Sequence, residues 1–238
     1  MSLRLKVVFL VLAMALCVNS TASAAPIIMA GDSVKLSDGP GTTNGGEFIL
    51  LVNNSWSFIT FCLQRTQYIN FTDVYQVDAV STYASTDPAA KGGDAFGRDY
   101  LSQETAFLYT MFRNGSLAGY NYSGSGRPMS ADDLQSAIWM FEGELPMDVS
   151  NPFVMLANNA VTSGAWSGLG GVRALNLSLN GVEAQDQLAL VPEPASLTLV
   201  GMGLLGLVRS VRRRRNSSHR MCRHPVPTNE RPGEWPSR

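Results

Sequence analysis

The 238-residue chain offers one thiol with an open chemical role, Cys62, in the stretch FITFCLQ at 58–64. Its other two cysteines stand at Cys17, in an apolar leader, and at Cys222, beyond a basic cluster. No internal disulfide is therefore available to the domain between them. Both histidines, His219 and His224, also lie in the tail. Without an imidazole the domain has neither a Ser-His-Asp nor a Cys-His nucleophile, and no ordinary zinc site. No D-x-[DN]-x-[DN]-G loop is present, so no metal and no cofactor are expected. Gly124–Gly126 and Gly168–Gly171 lack the strand-then-helix setting of a phosphate cradle. Gln135 stands at the edge of an apolar helical stripe with Trp139 one turn on. By position alone it is a boundary residue bonded to backbone. Glu142 and Glu144 are neighbouring carboxylates at the end of the same helix, a weak basis for a hydrolase. Cys62 alone reads as a buried apolar residue.

The two ends are set aside first. Arg4 and Lys6 precede an apolar run to Val18, and Ala22 and Ala24 form an A-x-A site, so 1–24 reads as a signal peptide cleaved after Ala24. At the other end, Ala195 to Val208 is an uncharged run of 14 residues. As a helix it reaches about 21 Å, short of a hydrocarbon core of roughly 30 Å. Arg209, Arg212, Arg213, Arg214 and Arg215 follow and would hold their side on the cytoplasmic face. With Pro192, Glu193, Pro194 and the small Ala195 and Ser196, this end resembles the PEP-CTERM sorting signal of Gram-negative bacteria. That resemblance implies an exosortase as processing partner, a single C-terminal membrane span, and delivery across the inner membrane to the cell surface or the extracellular space. Such signals usually end after the basic cluster, whereas residues 216–238 continue as a Pro/Arg-rich tail that reads as disordered. Between Ala25 and Pro194 there are 7 Lys/Arg and 17 Asp/Glu, a net charge of 7 − 17 = −10. Nucleic acid is an unfavourable partner for such a surface.

The elements that position these residues are legible in part. GEFILLVNN and WSFITFCLQ read as two antiparallel strands about an Asn-Asn-Ser turn, the second covered on both sides. QYINFTDVYQVDAV adds one or two strands. A helix follows, capped by Ser102, with Glu104 in its first turn and Gly115 as its stop. In the next, Ser130 and Asp133 have the spacing of a capping box, and Leu134, Ala137, Ile138 and Phe141 form one buried stripe. Asn151 and Pro152 open a third helix. Leu175, Leu177 and Leu179 alternate with Asn176, Ser178 and Asn180 in a half-buried strand, with QLALV as its partner. The fold class expected is α+β: a β-rich single domain at 25–190 with about three helices, flanked by the signal peptide and the sorting signal at 191–215 with its transmembrane helix.

FCLQ on a strand, then DDLQSAIWMFEGE on a helix, resembles the thioester domain of bacterial surface adhesins. That family carries an aromatic-Cys motif on a strand and a Thr-Gln-x-Ala-[Ile/Val]-Trp motif on a helix. Gln135, Ala137, Ile138 and Trp139 match as they stand, and Leu134 replaces the usual Thr. The resemblance spans roughly Gly46 to Glu144. It implies that Cys62 and Gln135 condense into an internal thioester, which a partner's amine or hydroxyl group then opens in a single turnover, without enzymatic catalysis. The other reading is a structural or glycan-associating biofilm matrix protein with the same sorting and no thioester. It would hold extracellular polysaccharide through aromatic loops around Tyr100, Tyr120 and Tyr122.

Overall fold

The computed structural model describes residues 26–41, 45–85 and 93–191. The expected signal peptide with Ala24 lies outside them, as do Pro192, Glu193, Pro194, the expected membrane span and the arginine cluster at 209–215. Among the described residues, no helix is long and apolar enough to cross a membrane.

The described residues are β-rich with three helices. The strands are β1 (Ser33–Asp38), β2 (Phe48–Val52), β3 (Trp56–Thr60), β4 (Tyr75–Ser81), β5 (Tyr83–Ser85), β6 (Arg98–Tyr100), β7 (Val172–Leu179), β8 (Val182–Glu183) and β9 (Gln187–Leu190). The helices are α1 (Gln103–Arg113), α2 (Arg127–Phe141) and α3 (Pro152–Thr162). The main sheet runs β3-β2-β1-β4-β7-β8, antiparallel throughout, with β9 also on β7; β5 and β6 form a separate hairpin.

This sheet curls. Past Thr60 the chain leaves β2 and pairs instead with β9: Leu188 N–H donates to Phe61 O at 3.0 Å and Leu63 N–H to Asp186 O at 3.0 Å. Cys62 and Gln187 face each other between those bonds. The continuation of the first strand in the sheet order thereby meets β9, on the far edge of β7. Asn53 and Asn54 turn β2 into β3 with φ of 47° and 53°, a region that Asn tolerates better than most residues.

Two apolar clusters flank the crossing point. One joins the helices to the sheet through Phe61, Tyr109, Phe112, Leu134, Ile138 and Phe153. The other fills the curl with Leu36, Leu50, Phe58, Val77 and Leu175, and includes Cys62 and Trp139. Phe61 and Cys62 thus serve opposite clusters, as the two-residue period of an extended chain requires.

Several expectations need correction. β1 is flanked by β2 and β4, but its sequence SVKLSD carries only Val34 and Leu36 on the buried side, too few for the pattern to stand out. Ser130 and Asp133 form no capping box. Pro128 pre-sets the first turn, so α2 starts at Arg127 and encloses both residues. The Ser130 hydroxyl instead accepts from the Asn121 backbone and side chain at 3.2 and 3.0 Å. Phe141 is half-buried, unlike the other three members of its stripe. β3 itself exposes Ser57; full coverage on both sides begins beyond it, where Phe61, Cys62, Leu63 and Gln64 are all buried. β7 is not half-buried either: Asn176 and Ser178 are also inside, because β5 and the Asp186 carboxylate cover that face. Tyr120 and Tyr122 belong to the helix-side packing, and Tyr120 donates its hydroxyl proton to buried Glu47. Of the three tyrosines only Tyr100 is exposed.

Candidate functional site

The pairing of Phe61 and Leu63 with β9 determines what becomes of Cys62. Its own N–H and C=O point to the opposite edge, where β2 has already ended. A buried backbone amide needs a partner. Gln135 supplies it: the Cys62 N–H donates to Gln135 Oε1 at 3.1 Å, and Gln135 Nε2 donates to Cys62 O at 2.9 Å. The carboxamide acts as a one-residue substitute for a strand. The same geometry brings the Cys62 thiol to 3.3 Å from Oε1, to which it donates. Cys62 is fully buried and Gln135 is 1% exposed. The structure therefore brings together two residues separated by 73 positions that the sequence motifs single out.

Helix α2 delivers Gln135 from the centre of its buried face, with Leu134 and Ile138 beside it and fully buried. Gly45 packs on Gln135 and Trp139 from the β1–β2 connection. A Cβ at Gly45 would lie 2.8 Å from Gln135 Cγ and 2.7 Å from Trp139 Cη2, closer than real Cβ contacts come. Only a residue without a side chain fits there.

Burial pushes the Cys62 thiol far above its ordinary range, so at neutral pH it is protonated and serves as a donor. The backbone amide and the Trp139 indole pull the other way, and the charge of Glu144 pushes further up. The Trp139 Nε1–H is buried and makes no full hydrogen bond.

Glu142 and Glu144 form no open carboxylate pair. Glu142 Oε1 accepts from the Ser102 N–H and hydroxyl at 3.2 and 2.8 Å, at the N-terminus of α1, and Glu144 Oε2 accepts from the Arg65 N–H at 3.3 Å. Both are 4% exposed. Desolvation, then the charges of Glu142 and Glu144, raise Asp99 to about 7. Among the described residues no group of three or more His, Cys, Asp or Glu is placed to hold a metal ion.

Sequence reasoning missed the polar frame behind Cys62. Gln64 donates to Ser85 O at 2.7 Å and accepts from the Asp186 N–H at 2.7 Å. Asp186 in turn accepts from Ser85 N–H, Asn176 Nδ2 and Leu177 N–H at 2.6, 2.7 and 2.8 Å. Its burial nevertheless raises it to about 7. These residues, spread from 64 to 186, carry no spacing that marks them as a network. Asn176 was the available signal: an amide at the centre of a strand, between Leu175 and Leu177.

The family described as the PEP-CTERM protein-sorting motif matches residues 190–215. No match was found among curated proteins or among solved structures. The matched segment contains Pro192, Glu193, Pro194 and the arginines 209 and 212–215. It marks the chain as a substrate of an exosortase, exported, anchored at a membrane and then passed to the cell surface or the extracellular space.

Proposed function

We propose that the exported domain is an adhesin-like module in which Cys62 and Gln135 close an internal thioester for covalent attachment to a partner. The observation that carries this reading is the 3.3 Å approach of the Cys62 sulfur to the Gln135 carboxamide inside a site where both are buried. The sulfur attacks Cδ of Gln135. Charge then develops on Oε1, where the Cys62 N–H already stands at 3.1 Å as an oxyanion donor. The thiol proton passes to Nε2, the C–N bond breaks and ammonia leaves. Fixed geometry replaces the absent histidine, since a held pair reacts at a high effective molarity. Burial keeps water from the acyl group. A partner's amine or hydroxyl then takes the acyl group, forming an amide or ester to residue 135 and returning the Cys62 thiol.

Intact mass of the secreted domain tests this. The expected result is a mass one ammonia below that calculated, with the deficit absent in Cys62→Ala. A full calculated mass for the wild-type domain overturns the thioester. It would leave Gln135 as a satisfier of the Cys62 backbone and the chain as an exosortase-sorted matrix protein without covalent chemistry.

A further inference from the structure

The hairpin of β5 and β6 carries a surface that the Cys62–Gln135 site does not use. Its register sets Tyr83 opposite Tyr100, Ala84 opposite Asp99 and Ser85 opposite Arg98. By the two-residue period of a strand, Ala84 and Asp99 share one face, which is buried, and Tyr83, Arg98 and Tyr100 share the other. Phe96, just before β6, joins that second face; it is 79% exposed, and Tyr100 is 53% exposed. The Arg98 guanidinium lies among the rings, its Cζ 4.9 Å from the centroid of Phe96, 5.7 Å from that of Tyr100 and 6.0 Å from that of Tyr83.

These groups are held in place by their own chain. A turn with Gly97 at φ 70° brings Asp94 back against Arg98. One oxygen of the Asp94 carboxylate accepts from the Phe96 and Arg98 N–H groups at 2.8 and 3.1 Å. The other accepts from Arg98 Nε at 3.2 Å and pairs with its terminal nitrogen at 3.1 Å. Tyr83 and Tyr100 meet edge to face with centroids 5.6 Å apart. A surface ordered in advance loses little freedom when a ligand covers it.

The chemistry of the face selects its ligand. Asp94 already pairs Arg98, and the domain carries a net charge of −10, so a polyanion is repelled. A further cation is disfavoured, because the guanidinium already takes up the electron-rich ring faces. A stable protein partner covers about 800 Å² per side, far more than two open rings on a hairpin of three-residue strands present. A sugar ring fits both parts of the surface. Its C–H groups stack on the negative face of an aromatic ring, and its hydroxyls hydrogen-bond to the Arg98 fork and the Asp94 carboxylate at the edge. Tyr120 and Tyr122 take no part, since they pack on the helix side of the core.

We infer that the face formed by Phe96, Arg98 and Tyr100 binds a neutral polysaccharide, by stacking on the two open rings and hydrogen bonding to Arg98 and Asp94. This site stands apart from the thioester and holds with or without it.

The test is native affinity electrophoresis of the secreted protein in gels cast with dextran, galactomannan, hydroxyethyl cellulose or alginate. The protein carries Cys62→Ala, so that any capture is non-covalent. At least one of the three neutral polymers should retard it, and added salt should leave the retardation unchanged. Phe96→Ala and Tyr100→Ala, at exposed positions that the fold tolerates, should each weaken binding roughly five- to ten-fold. Arg98→Lys, which keeps the charge but loses the planar fork, should weaken it about two- to five-fold. Tyr68→Ala removes an exposed ring outside this face and should bind as the parent does. Retardation by alginate alone overturns the assignment, as does passage unretarded through all three neutral gels. Retardation that survives both Phe96→Ala and Tyr100→Ala at full strength overturns it as well.

Discussion

The side-chain amide of Gln135 pairs with both backbone groups of Cys62, accepting from its N–H at 3.1 Å and donating to its C=O at 2.9 Å. The pairing holds the sulfur beside the carboxamide before any bond forms, so it has consequences for stability as well as for chemistry.

Gln135→Ala leaves a buried N–H and a buried C=O without partners. Each costs about 1–3 kcal/mol, so the variant should lose roughly 2–6 kcal/mol in urea unfolding. Cys62→Ala removes one buried sulfur and keeps the pairing, and should lose only about 1–2 kcal/mol. Equal losses would show that the backbone pairing contributes little.

Gly45→Val drives atoms into Gln135 Cγ and Trp139. Overpacking of this kind typically costs about 1–3 kcal/mol. The misplaced carboxamide should also slow ammonia loss, followed as mass against time in freshly folded domain. An unchanged rate would mean that Gly45 does not set the Gln135 geometry.

Asp186 and Asp99 are both raised to about 7 by burial, Asp99 also by Glu142 and Glu144. In the unfolded chain such groups ionise near pH 4. Between about pH 4 and pH 7 the folded state therefore holds more protons than the unfolded one, and stability falls as pH rises. Asp186, the more deeply enclosed, contributes on the order of 3–4 kcal/mol across this window. Asp99 contributes less. Urea midpoints from pH 4 to pH 8 should decline in the wild type and decline less in Asp186→Asn. A midpoint that rises through this range would contradict the burial argument.

Glu193 lies in the sorting motif. Glu193→Ala should leave the chain in the membrane fraction at full length while the wild type is processed, as seen by fractionation and immunoblot. Unchanged release would separate the motif from the sorting of this chain.

The sequence shows some of this fold plainly. Caps do so because their chemistry is local: Ser102 accepts from Thr105 N–H at 3.1 Å and Asn151 from Phe153 N–H at 2.9 Å, at the helix starts their residue types indicate. The β2–β3 and β7–β9 pairings follow from residue type and neighbouring turns. Motif resemblance singled out Cys62 and Gln135, and position alone did not, since a boundary glutamine has many routine uses. What escaped was non-local. β1 is half polar, the start of α2 was decided by Pro128 over Ser130, and the frame of Gln64, Asn176 and Asp186 forms only once the chain has curled.

The exchange of partners beyond Thr60 also has a mechanical meaning. β9 ends at Leu190, and the sorting motif begins at residue 190, so tension on the anchored end enters the domain through β9. That strand is gripped on one edge by Val172–Leu175 of β7 and on the other by Phe61 and Leu63. Load arriving from the membrane side is therefore handed directly to the segment that carries Cys62, a few ångströms from Gln135, without passing through α1 or α3. The shortest path for force through the domain is also the path that holds its thiol in place.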